Sequence, residues 1–553
     1  MKNLNLVEYF PSSSPRKSQV EALNQISNIF NSGKKYAIAR LPTGSGKSHI
    51  GVSVARSTNH LDKLRTNLLE TYEVYKMDRN GSYVHENEFQ TAETAGAFIL
   101  TVSKSLQDQY KNLFEDLHLI KGKNNYQCEV DRNVTVDFAP CLYTPDLKKE
   151  CFENDRCPYY KTRKNALLSL DPILNYKAFF NLPSFLKKRQ FFICDEAREI
   201  NAELVSSHTI TINYAQLLSE EIIFKKIISD DPTDAHFWIN DVYLQLKEKQ
   251  ADLKQKVSLM SRKYSKTDGI YFRSVQNLSK LNNLIKSLCD VLKVWQECNF
   301  IVEHKDSKSV TFTPCDVRPL AQEVFGYADK VLLMSATISN HEEYAKSLGI
   351  SKNEYEFIDI PSTFEAARSP IHITSKFNLS YKSIKNDLPR VVEAVRRICE
   401  LHKNEKGIIH THTNYITEAL KKNLSSNDRF LFRELGVTNE DIVKIHTEQK
   451  NINTVLVSPS LGTGLSLDDD LGRFQIIVKA PFLPLDSKRI KKMFDKNPQY
   501  YVMEMLDALV QMCGRCTRSQ KDSSITYILD ASALNAVLRY KNYLPKDFLD
   551  RFL

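Results

Sequence analysis

The sequence predicts an α/β fold of two parallel-sheet lobes, the first interrupted by a cysteine-rich insert and by a helical one. Three observations predict it. Residues 39–48, ARLPTGSGKS, follow a short apolar strand and open a helix, the arrangement of a phosphate-binding loop. Short apolar strands alternate with helical segments on both sides of the middle of the chain, which implies parallel sheets covered on both faces. Between them lie two stretches that break this alternation: four cysteines within residues 124–160, and long helical periodicities from about 206 to 314.

The bulk properties bound the rest. At 553 residues with 42% hydrophobic content, the chain is long enough for about three or four domains with sizeable cores. Ordinary aromatic and charged fractions exclude a disordered tail. A net charge of +9 suits a polyanionic partner without demanding one. The N-terminal MKNLNLVEYFPSSSPRK has no apolar leader core, and no run approaches the ~18 apolar residues of a membrane span. The expectation is a soluble protein with no membrane partner, cytoplasmic in a bacterial or phage-infected cell and nuclear if eukaryotic. In a reducing compartment its 11 cysteines serve as thiols or metal ligands.

Taken in order, Arg16 and Gln19 begin an amphipathic helix with Val20, Leu23, Ile26 and Ile29 on one face. The Gln19 amide is a candidate to read an adenine edge, or simply a helix N-terminal residue. Residues 35–40 read as a buried strand and 43–46 as a tight turn. Backbone N–H groups of Gly44, Ser45, Gly46, Lys47 and Ser48, after Thr43, then converge on phosphates at a helix N-terminus. Lys47 reaches the outer phosphates and the Ser48 hydroxyl ligates Mg2+. Leu41 stands where this pattern usually begins with glycine.

A second strand, 97–102, runs into SKSLQDQY, where Ser103, Ser105 and Gln107 offer donors for a backbone phosphate. Cys128, Cys141, Cys151 and Cys157 follow, separated by twelve, nine and five residues. No tight C-x2-4-C zinc knuckle is among them; four such thiols can hold an iron–sulfur cluster or pack as a small core. Strand 190–194 leads directly into Asp195 and Glu196, at the end of a parallel strand where an open α/β sheet binds its ligand. There Asp195 holds Mg2+ through water and Glu196 polarises the attacking water. The helical stretch carries an apolar face from Leu281 to Trp295. Its segment 247–286 has ten basic and three acidic residues with Tyr264, Tyr271 and Phe272 among them, a mixture that tracks nucleic acid or forms a solvated face. A hairpin is expected at 300–302 and 309–313.

Strand 330–334 ends in Ser335-Ala336-Thr337, and a new α/β lobe follows with strands at 407–411, 454–457, 475–479 and 525–529. Near its end YVMEMLDALVQMCGRCTRSQ reads as one helix presenting Gln511, Arg515 and Arg518 from one face, the guanidinium groups aimed at a transferred phosphoryl group. Gly514 inside it suggests a close approach, since it costs about 1 kcal/mol relative to alanine.

The stretches PTGSGKS, KGKNNYQC, CPYYKTRKNALLSLDPILNY, DEAR, MSATIS, IIVKAPFLPL and QMCGRCTR, in this order over nearly the whole chain, resemble the iron–sulfur group of superfamily-two DNA helicases, the XPD- and DinG-like family. The resemblance implies two RecA-like motor lobes. The first is built from residues 1–120, 163–205 and 317–345, interrupted by an iron–sulfur insert at 121–162 and an Arch-like helical insert at 206–316; the second spans 346–553. It further implies that Lys47, Ser48, Asp195 and Glu196 perform the ATP chemistry, that Gln19 contacts adenine, and that Arg515 and Arg518 act as arginine fingers with Gln511 beside them. Cys128, Cys141, Cys151 and Cys157 would ligate a [4Fe-4S] cluster where the duplex splits. The implied activity is 5′-to-3′ translocation on single-stranded and forked DNA, driven by ATP and Mg2+ bound between the lobes, by a monomer whose helical insert offers a surface for protein partners. RNA or RNA–DNA hybrid remodelling is the alternative substrate reading, and a non-catalytic DNA-binding scaffold the alternative class. Two departures from the family pattern stand out: Arg198 replaces the histidine after Asp-Glu-Ala, and Thr463-Gly464-Leu465-Ser466 replaces Glu-Gly-x-Asp.

Overall fold

The computed structural model of the chain describes residues 4–58, 96–142, 145–263, 269–433, 437–459, 467, 469–516 and 522–553. Arg518, Tyr264 and the 463–466 stretch lie outside the described residues. The chain divides into two compact units. One comprises Met1–Ile38, Ser48–Met334 and Tyr344–Ile358, the other Ala39–Lys47, Ser335–Glu343 and Asp359–Leu553.

A seven-stranded sheet is built from β1 (Tyr36–Arg40), β2 (Ala97–Thr101), β3 (Leu119–Ile120), β4 (Ile173–Asn175), β5 (Arg189–Asp195), β9 (Ala328–Ser335) and β10 (Tyr355–Asp359). Their order is β10-β1-β9-β5-β2-β4-β3. The sequences YAIAR and AFILT are buried at every position, as befits strands covered on both faces. Parallel pairing sets Cys194 beside Leu333 and Asp195 beside Met334, so the acidic pair and the Ser335-Ala336-Thr337 turn leave neighbouring strands at the same end.

The second sheet is formed by β11 (Ile371–Phe377), β12 (Gly407–His410), β13 (Phe430–Phe432), β14 (Val455–Ser458), β15 (Phe474–Ile477) and β16 (Ile525–Asp530), in the order β11-β16-β15-β12-β14-β13 with every pair parallel. One face packs Val391, Val395, Ile416 and Leu420, the other Leu506, Leu509, Ala533 and Val537. Gly407 is required at the start of β12, because a Cβ there would stand 2.4 Å from the Phe474 ring.

Between β5 and β9 the chain forms a long helix pair and a small antiparallel sheet, β6 (Ile210–Asn213), β7 (Phe300–Asp306) and β8 (Ser309–Pro314), in the order β6-β8-β7. The expected hairpin is therefore present and longer than its core positions alone suggested. Its base is fixed by Trp295, stacked on Phe300 at 4.8 Å with the rings nearly parallel. Helices 232–263 and 269–293 bury Tyr271 to 2% exposure among Val257, Val275 and Leu278. Tyr271 cannot stack on a base there, which corrects the expectation drawn from its basic neighbours. Among the described residues no helix is long and apolar enough to cross a membrane.

Candidate nucleotide site

The loop at 41–46 follows β1 and precedes helix α2 (Lys47–Arg56). Gly44 and Gly46 take φ of +78° and +82°, the left-handed region that glycine enters without a Cβ penalty. Leu41 is fully buried and has no positive φ; its N–H donates to the Ser335 carbonyl at 2.9 Å, so this position serves as core and not as part of the tight turn.

In the first unit Asp195 is 2% exposed and held at both oxygens. Its Oδ1 accepts from the Glu196 N–H at 2.9 Å, and its Oδ2 accepts from the Tyr110 hydroxyl at 2.9 Å. The Tyr176 hydroxyl donates to the Asp195 carbonyl at 3.1 Å. Tyr110 lies on helix α3 (Lys104–Leu113), is fully buried, and has the Ser48 side chain as a second hydrogen-bond partner. Burial and the adjacent Asp195 charge push its phenol well above the ordinary range, so it stays a neutral donor. Ser48 and Asp195, both expected at Mg2+, thus share one neighbour. Glu196 takes φ 49°, ψ 47°, a left-handed conformation that costs a non-glycine residue about 1–2 kcal/mol. Arg198 pairs with Glu199 at 3.3 Å, and the carbonyl of Ala197 between them and the acidic pair accepts from the Tyr344 hydroxyl.

Gln19 and Gln107 both make contacts within the fold. The Gln19 side-chain oxygen accepts from the Arg16 N–H at 2.9 Å, closing the start of helix α1 (Lys17–Asn31). Gln107 is fully buried and its amide donates to the carbonyls of Ile120 and Ile173, so it does not offer a donor to a phosphate. Ser103 and Ser105 remain at the surface, their hydroxyls 2.9 Å apart.

In the second unit the helix expected to carry Gln511, Arg515 and Arg518 on one face spans Pro498–Cys513 and stops. Gly514 closes it with φ −88°, and a Cβ there would meet Thr43 Oγ1 at 3.6 Å, an ordinary contact; the glycine is a stop signal and not a close approach. Gln511 is on the helix and Arg515 beyond it. The last carbonyl, Cys513 O, accepts from Arg551 at 2.8 Å and from Gln475 at 3.2 Å, satisfying an acceptor that a helix end leaves over. Arg515 is 7% exposed and its charge acts on His410, the last residue of β12. Thr43, Thr337, Gln511 and Gly514 line a cavity of about 70 Å3 together with Arg40 and Asp359. Arg40 binds Asp359 and also donates to the carbonyls of Ile338 and Tyr543. The Asp507 carboxylate accepts from the N–H and the hydroxyl of Ser339, fixing the turn after β9.

The four cysteines of the insert share one small core with Val134, Val136 and Tyr160. Cys141 is pushed up to about 12, by burial first and then by the charges of Cys151, Cys157 and Cys128. Burial likewise raises the Cys151 and Cys157 thiols. Among the described residues no group of three or more His, Cys, Asp and Glu side chains stands where it could hold a metal ion.

Sequence reasoning missed Tyr110, Tyr176, His410 and Asp507. Only Tyr110 left a trace: Gly51, in a helix one turn after Ser48, signals close packing, and a Cβ there would stand 3.0 Å from Ile193 and 3.5 Å from the Tyr110 hydroxyl.

Residues 409–550 match the family described as the helicase C-terminal domain. No curated protein sequence matches the chain. Among solved structures, an XPD helicase aligns over 96% of this chain and 98% of its own with a TM-score of 0.61 and 14% identity. A ligand-free XPD aligns over 94% and 97%, TM-score 0.53 at 13% identity. An XPD from S. tokodaii aligns over 95% and 98%, TM-score 0.53 at 14% identity. These likenesses give the fold of two RecA-like parallel-sheet lobes. Residues 409–550 thus carry a helicase C-terminal domain, and the chain as a whole shares the fold of XPD helicases.

Proposed function

We propose that this chain is an ATP-dependent 5′-to-3′ helicase and translocase that unwinds single-stranded-tailed and forked DNA as a monomer. The observation that carries the reading is the cavity where Thr43 of the phosphate-binding loop meets Gln511 and Gly514 of the C-terminal domain. At the phosphate-binding loop Gly44, Ser45, Gly46 and Lys47 hold the phosphates; Gln19 contributes to adenine binding, and Arg515 and Arg518 supply positive charge to the transferred phosphoryl group, with the Gln511 amide as a neutral donor. Glu196 orients the attacking water. Ser48 and Asp195 offer hard oxygen donors that suit Mg2+, which when bound neutralises charge on the outer phosphates. The residues 1–120, 163–205 and 317–345 serve as the first motor lobe and 346–553 as the second, with the helical stretch 206–316 open to protein partners.

The core of Cys128, Cys141, Cys151 and Cys157 is assigned to a [4Fe-4S] cluster. Four thiols in one small core are the donor type such a cluster needs, and because among the described residues no three of them stand where they could hold a metal ion, loading a cluster requires them to draw together.

The test is unwinding of forked substrates with a 5′ or a 3′ single-stranded tail, made as DNA, RNA and hybrid. Unwinding of DNA from the 5′ tail with ATP is expected. Unwinding only from the 3′ tail overturns the polarity, a preference for RNA or hybrid overturns the substrate, and no nucleic-acid-stimulated phosphate release makes the chain a scaffold.

A further inference from the structure

Helix α3 carries a polar loop at its start and a buried phenol near its end. Ser103 caps the helix, its hydroxyl accepting from the Leu106 N–H at 3.2 Å, with Ser105 exposed beside it. Two turns later Tyr110 is fully buried, and its hydroxyl donates to Asp195 Oδ2 at 2.9 Å. A buried tyrosine needs a partner for its hydroxyl, and a backbone carbonyl would suffice; Tyr176, directly after β4, uses the Asp195 carbonyl in that way. Tyr110 instead takes the side-chain carboxylate and has the Ser48 hydroxyl as its second partner. With the Glu196 N–H on Oδ1, the carboxylate is fixed at both oxygens. Gly51 leaves the space that this arrangement occupies, since any Cβ would crowd Ile193 at 3.0 Å and Met334 at 3.1 Å.

We propose that Tyr110 is a positioning residue of the nucleotide site: its hydroxyl orients Asp195 and Ser48 toward a common Mg2+ and ties both to the polar loop at Ser103 and Ser105. The proposal rests on the reading that Ser48 and Asp195 serve Mg2+. Partners one step removed from a metal ligand commonly change metal affinity by about 10- to 100-fold when lost. Loss of the Tyr110 hydroxyl removes one of the contacts that hold Asp195 Oδ2 in its orientation.

The test uses the full chain with Tyr110→Phe, and in parallel 3-fluorotyrosine placed at position 110 with the hydroxyl retained. The Mg2+ concentration for half-maximal ATP hydrolysis is expected to rise about 10-fold in Tyr110→Phe, while its melting temperature shows that it folds. The 19F resonance at position 110 is expected to move on adding Mg2+ with a non-hydrolysable ATP analogue, and to stay in place with the same nucleotide in EDTA. An unchanged Mg2+ requirement in a folded Tyr110→Phe, or a resonance indifferent to Mg2+, overturns the proposal; if the variant does not fold, the resonance alone decides. Lys47→Ala separates the two readings. Its hydrolysis is expected to vanish, and if it persists the nucleotide site itself is misassigned whatever Tyr110 does.

Discussion

At His410 the chain buries an imidazole and keeps it uncharged. Burial is the main cause, the Arg515 charge the next, and a hydrogen bond with Gln475 offsets them in part; together they bring its pKa down to about 3. The sign of the pH effect follows. Above the ordinary histidine value of 6.5, folded and unfolded chains both hold the neutral ring and nothing is gained or lost. Between 6.5 and about 3 the unfolded chain binds a proton that the folded one refuses, so stability falls as pH falls, by about 1.4 kcal/mol per pH unit at most from this group. Burial also lowers His412, His446 and His208, which add the same sign, so the measurement must be a difference. Denaturant unfolding of the chain and of His410→Gln from pH 7 to 4 is expected to show a shallower acid loss in the variant; parallel curves would remove the assignment. Residues of this type were not legible in the sequence. His410 reads as an ordinary strand residue until Arg515, 105 positions later, is placed beside it. Tyr110 and Asp195, 85 positions apart, were hidden for the same reason. Gly44 and Gly46 were legible, because the left-handed turn they make is a local requirement of the backbone.

Elements were legible where their signal is local and continuous. The strands YAIAR and AFILT announce burial on both faces, and the phosphate-binding turn announces its helix. The terminal helix was misread because its apolar and polar spacing runs on past Gly514, while the structure ends it at Cys513, where Arg551 and Gln475 take the last carbonyl. Spacing alone did not contain those partners. In the cysteine insert the sequence left a cluster and a thiol core both open. Buried thiols that raise one another would stay protonated without a metal, and binding one releases protons and adds folding free energy. Protein purified without oxygen is therefore expected to be brown, with iron and sulfide at about four each per chain, and to lose thermal stability when the iron is chelated. Zinc or no metal in elemental analysis overturns the cluster, and no metal leaves the thiol core as the correct account of this element.

On the scale of the molecule, the phosphate-binding turn at 39–47 clusters with the C-terminal unit and not with the strands that precede it, and the last residues of the chain take part in that grouping. Arg551 donates to the carbonyls of Ser369 and Cys513, its own carbonyl accepts from the Ile371 N–H at 2.7 Å, and Leu553 N–H returns to Ile371. Nearby, the carbonyl of Tyr543 accepts from Arg40, the last residue of β1. The chain end thus holds the first strand of the second sheet, the stop of the helix that carries Gln511, and the strand that feeds the phosphate-binding turn. Arg551 is half-buried; desolvation lowers its pKa, and the two carbonyls together with the Asp547 charge offset that cost. Arg551→Ala would leave Cys513 O with one donor and Ser369 O without this one, a loss of about 1–3 kcal/mol per unsatisfied group. The expected result is a lowered melting temperature together with reduced ATP hydrolysis, because the turn and the helix end lose a shared anchor. Arg551→Lys, which keeps the charge but cannot reach both carbonyls with a planar fork, is expected to fall between. If Arg551→Ala melts as the parent does and hydrolyses ATP at the parent rate, the chain end is an ornament and the grouping is held by β1 and Asp359 alone.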